Sequence, residues 1–187
     1  MIELFGAILG IIGLVISVLK VIAPILLELG KKMGLVNEKE NVEDFGEKAL
    51  QADKEMEDFS NPEEYMEYIK NIEIDEAKRH SEKEQLEKTC QVMEKTLEKE
   101  FEEFPTKDFA SFVSKNEEYF TPEKMSALYD TIDKSEFKDI IGVLNGSVSD
   151  IEKIDSAIEI LAAVEKKINP ALSDDEAKLN VIEARRQ

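Results

Sequence analysis

The chain has no tryptophan, one cysteine and one histidine among 187 residues, with only five prolines and eight glycines. A lone cysteine, Cys90, excludes an intrachain disulfide, which accords with a reducing compartment without requiring one. Few turn-forming residues and dense Glu, Lys, Leu and Ile argue for helices rather than a β-sandwich. A lone histidine excludes an imidazole cluster. Glu76, His80 and Glu84 fall at helical spacing, but Ala77 stands where a bundle metal site of the Glu-x-x-His type needs its glutamate, and His-Glu-x-x-His is absent. The trio therefore reads as a solvated charged face, and no metal or cofactor is expected. On a helix, Cys90 points to a different side from His80, so the two make no nucleophile pair, and Cys90 reads as a small core residue. No glycine-rich phosphate loop is present, because the early glycines have no strand before them and no Lys-Ser/Thr after them. Asp150, Glu152 and Asp155 lack the spacing and the glycine of a calcium loop. Carboxylates are too numerous to nominate any pair as acid and base. The expectation is no catalytic residues and no enzyme.

Basic charge is also scarce. The chain carries 24 bases against 42 acids, a net charge of −18. By segment the net charge is +1 over residues 1–34, −13 over 35–104 and −6 over 105–187. Such a field repels a polyanionic duplex, so no nucleic-acid partner is expected.

What the sequence has in excess lies at the amino terminus. Leu4 to Leu19 carries no charge; Lys20 interrupts, and VIAPILL extends the run to Leu27. As helix the whole run would measure roughly 36 Å, enough for a hydrocarbon core of about 30 Å. Glu3 precedes it and Lys31 and Lys32 follow, the reverse of a secretory signal, so the segment is expected to be retained. Small and polar residues recur every three or four positions: Glu3, Gly6, Gly10, Gly13, Ser17, Lys20, Pro24, Glu28 and Lys31. On a helix they form a narrow ribbon, with Gly6, Gly10, Gly13, Ser17 and Lys20 as a seam for close packing against another helix. The broad opposite face, expected to meet lipid, comprises Leu4, Phe5, Ile8, Leu9, Ile12, Val15, Ile16 and Leu19.

Beyond it, GKKMG at residues 30–34 reads as a helix stop. A moderate helix is expected from Val36 to Phe59. A long one is favoured from Pro62 to Phe104, although residues 75–85 are nearly devoid of apolar side chains. After Pro105, amphipathic patterns near 108–118, 121–132, 135–144, 149–168 and 173–187 predict short helices. The expected fold is all-α: a helical bundle with a long central helix and a glycine-striped hydrophobic amino-terminal helix. Three parts are expected: a hydrophobic helix over 1–34, an acidic helical region over 35–104 and a compact bundle over 105–187. The leading expectation is a non-enzymatic, membrane-associated protein. It would contact a lipid bilayer and form a homo-oligomer along the glycine seam, as a pore-forming effector or an anchored scaffold, with a protein partner on the acidic body. The competing one is a soluble helical interaction module (a chaperone, an immunity-type binder or an assembly subunit) with the oily helix buried in its core or at a subunit interface.

Overall fold

The computed structural model describes residues 16–101 and 104–186, and among these there are nine α-helices and no strand. The fold is all-α, and it divides into two compact units, Met1–Glu102 and Glu103–Gln187.

In the first unit, helices α1 (Ile16–Lys32), α2 (Val42–Gln51), α3 (Pro62–Lys70) and α4 (Glu82–Glu100) are joined by loops carrying 3-10 turns at Met56–Asp58 and Glu76–Lys78. The longest, α4, is the spine, with α1 and α2 packed on it and α3 against α2. Its stripe of Leu86, Cys90, Met93 and Leu97 is buried, as the apolar spacing demands. Helix α1 ends where GKKMG predicts. Gly34 takes the left-handed φ of 74° that a side chain resists, and the Leu35 amide returns to the Gly30 carbonyl at 3.0 Å. Helix α2 begins at Asn41, whose side chain accepts from the Asp44 amide at 2.8 Å.

Two expected helices are shorter than the pattern suggests. The helix drawn to Phe59 stops at Gln51, and Met56 reaches the core from the 3-10 turn instead. The run from Pro62 to Phe104 is not continuous: α3 and α4 are separated by residues 71–81. The cause is local. Ser81 and Glu84 form a reciprocal capping box, which satisfies the free amides of a helix start and fixes α4 there.

The second unit contains α5 (Thr106–Lys115), α6 (Pro122–Tyr129), α7 (Phe137–Leu144), α8 (Ile151–Ile168) and α9 (Asp174–Arg186). Helix α8 packs against α6, α7 and α9, and α5 against α7. An aromatic cluster fills the interior: Phe104 stacks on Phe137 at 5.0 Å between centroids, and Phe109 and Phe112 each meet Phe120 within 5.8 Å. Thr121 caps α6 through the Lys124 amide, with Pro122 in its first turn. On α8 the apolar residues Leu161 and Val164 are buried, but Ile151 and Ile168 at its ends are 74% and 42% exposed.

Candidate functional site

Of the proposed seam and lipid face, Gly6, Gly10, Gly13, Leu4, Phe5, Ile8, Leu9, Ile12 and Val15 lie outside the described residues. The remainder sits at the start of α1. Ser17 and Lys20 face solvent, and Lys20 Nζ pairs with Glu82 Oε1 at 2.8 Å with both side chains about half exposed. Ile16 is 39% exposed, whereas Leu19, placed by the sequence on the lipid side, is fully buried. Leu19, Ile22, Ala23, Ile25, Leu26, Leu27 and Leu29 are all at most 4% exposed, so the greasy side of α1 is spent on its own unit's core. Among the described residues no helix is long and apolar enough to cross a membrane.

The most concentrated polar chemistry in the first unit surrounds Glu47 on α2. Its side chain is fully buried. Oε2 accepts from the His80 amide at 2.9 Å and from Gln85 Nε2 at 2.8 Å; Oε1 meets His80 Nδ1 at 2.9 Å and Gln51 Nε2 at 2.6 Å. Burial by itself pushes the carboxyl up, but the hydrogen bonds from Gln85, His80 and Gln51 outweigh it and hold the pKa down at about 2. An ionised carboxylate only accepts, so the imidazole turns its Nδ1–H toward Glu47. Gln51 also exchanges hydrogen bonds with the Asp75 backbone, and Arg79 forks onto Glu76 and reaches Asp44 at 3.0 Å. The segment between α3 and α4 is thus strapped onto α2.

The three residues expected on one helix face are therefore dispersed. His80 lies in the strap on Glu47, Glu76 pairs with Arg79, and Glu84 belongs to the Ser81 capping box. Sequence spacing missed Glu47 because His80 and Gln85 lie 33 and 38 positions away and Gln51 alone is near in sequence.

The groups best suited to nucleophilic chemistry are sequestered. Cys90 is 1% exposed, and burial pushes its thiol up to about 12, far from the thiolate range. Burial likewise raises the Tyr65 and Tyr119 phenols. In the second unit Lys124 Nζ lies 2.7 Å from Glu165 Oε1 and 3.9 Å from the Tyr119 ring centroid, a cation held between a carboxylate and an aromatic face. Among the described residues no group of three or more His, Cys, Asp or Glu side chains is placed to hold a metal ion. The second unit also bears an open cavity of about 590 Å³ lined by Glu117, Glu118 and Glu183, and one of about 470 Å³ lined by Lys115, Arg185 and Arg186. No family model, no curated protein and no solved structure matches the chain.

Proposed function

We propose that the chain is a non-enzymatic helical interaction protein, in which α1 is a core strut of the first unit and the acidic surface of that unit meets a basic protein partner. The observation that carries this reading is the burial of α1 from Leu19 to Leu29 within its own unit. Charge supports the partner's sign, since residues 35–102 hold 22 acids against 10 bases. The reactive groups support the absence of catalysis: Glu47 and His80 are used on each other, and Cys90 is buried with a raised pKa.

A second reading, membrane association with self-association along Gly6, Gly10 and Gly13, draws on the uncharged run that begins at Leu4. With Leu19 onward engaged in the core, residues 4–18 would measure about 22 Å as helix, short of a hydrocarbon core of about 30 Å. That length suits one leaflet, not a span.

Two measurements on the full-length chain decide between them. Under the interaction reading the protein is monodisperse without detergent in size-exclusion light scattering and stays at the bottom of a liposome flotation gradient, and Leu26→Asp abolishes the folded first unit. Flotation with vesicles, together with an intact fold in Leu26→Asp, would overturn that reading in favour of lipid.

A further inference from the structure

At one corner of the second unit the ends of three helices, α5 at Lys115, α7 at Leu144 and α9 at Arg186, border the cavity of about 470 Å³. Two of the chain's three arginines stand here, Arg185 and Arg186, beside Lys115. In a protein of net charge −18, lysines elsewhere are commonly matched to carboxylates, as Lys124 is to Glu165, Lys153 to Asp139 and Lys48 to Glu40. Among the described residues these three have no carboxylate partner; Asp108 is the one acid lining the cavity and is not paired with them.

Arg185 is held in place. Its Nε donates to the Val143 carbonyl oxygen at 3.0 Å, which anchors the guanidinium on the last turn of α7. Its two terminal nitrogens have no protein partner among the described residues, and they form the planar fork that receives an oxyanion end-on. Asn145 adds a neutral donor. Its Oδ1 accepts from the Ser147 amide at 2.9 Å, which leaves its Nδ2 hydrogens available. Ser111 brings a hydroxyl to the same wall.

We propose that this cavity binds the oxyanion head of a small organic acid, a carboxylate or a phosphate, with Arg185 as the oriented fork and Lys115 and Arg186 as supporting charges. The volume lies within the range of small-ligand sites. Electrostatics set the expected strength. Three helix carboxy-termini contribute about half a negative charge each and Asp108 a full one, and Glu117, Glu118 and Glu183 line the adjoining cavity that shares Lys115, so the three cations leave little positive surplus. Binding is therefore expected in the millimolar range. The competing role for the same cations is simple neutralisation of the helix ends.

The test is an amide chemical-shift titration of the full-length protein with sodium phosphate and, separately, sodium acetate, each against sodium chloride at matched ionic strength. The expected result is saturable shifts at Ser111, Lys115, Asn145 and Ser147 that chloride does not reproduce. Tighter binding of phosphate identifies a phosphate head, and tighter binding of acetate a carboxylate head. Arg185→Lys keeps the charge and loses the fork, and should weaken binding about tenfold. Lys115→Gln, at an exposed site, carries the test should the arginine variant fail to fold, with a weakening of about threefold expected from the lost charge. Shifts that chloride reproduces, shifts that never saturate, or unchanged phosphate affinity in the folded variants would each overturn the proposal and leave helix-end neutralisation as the cations' role.

Discussion

Replacing Glu47 with glutamine removes one charge from the centre of the first unit while keeping nearly the same volume. In the native unit four donors converge on two carboxylate oxygens. An amide offers one oxygen. Whichever way the substituted amide turned, its NH2 would face donors: Gln51 Nε2 and His80 Nδ1 on one side, or the His80 amide and Gln85 Nε2 on the other. The native carboxyl is held from 4.5 down to about 2. At about 1.4 kcal/mol per pKa unit, that difference is worth about 3 kcal/mol at neutral pH. The sign follows from the direction of the shift. A lowered folded pKa stabilises the protein above the unfolded value, and the contribution is lost as pH falls from about 4.5 through about 2. Urea unfolding of native and Glu47→Gln proteins, followed by circular dichroism at several pH values, isolates this group, because every other carboxylate is common to both. The stability gap should be about 3 kcal/mol at neutral pH and shrink steadily across the acid window. A gap that stays constant with pH, or is absent at neutral pH, would show that the carboxylate is not the ionised hub described above.

Gly46→Ala should destabilise the first unit by about 1–3 kcal/mol despite the better helix propensity of alanine, because its methyl would press into the Gln85 carbonyl of α4 and lie 2.8 Å from Thr89 Oγ1. Gly30→Ala should cost less in the same urea unfolding, since the nearest atom its methyl would meet is the flexible Met93 tip. Cys90 should resist aromatic disulfide reagents in native buffer and react at once in denaturant; labelling of the folded protein would contradict its burial. Lys124→Met should destabilise the second unit by about 3 kcal/mol by leaving Glu165 buried and unpaired, and adding Glu165→Leu should recover most of that loss. Failure of the double variant to recover would mean that packing on Tyr119, not charge, dominates at this site.

How much of this was legible in the sequence depended on how local each cause was. Asn61, Thr121 and Ser173 announce helix starts through caps only three residues long, and each carries its element, whereas the helix expected from Val36 begins only at the Asn41 cap. The break before α4 was equally local, since Ser81-Glu82-Lys83-Glu84 spells a capping box inside a stretch with almost no apolar side chain. Glu47 was not legible, because a buried carboxylate is recognised by its donors, and three of its four arrive from a strap and a helix more than 30 positions away. Nor was the basic cavity, whose members come from the ends of α5, α7 and α9. Helical periodicity reports which side of a rod is apolar, and says nothing of which rod ends meet.

The same limit explains the placement of α1. A run of large apolar residues with a polar ribbon satisfies lipid and protein equally well, because both offer a medium without water. What separates the two is whether the rest of the chain supplies a complementary surface. Here it does. Helix α4 presents Leu86, Cys90, Met93 and Leu97 on one side, and Gly30 lets Met93 approach the α1 backbone more closely than any side chain would allow. The polar ribbon then has a plain role, since Ser17 and Lys20 keep the outer side of α1 in water and Lys20 reaches Glu82 at the first turn of α4. A second stripe of matching length elsewhere in a sequence is therefore the feature to weigh before a hydrophobic run is assigned to a bilayer.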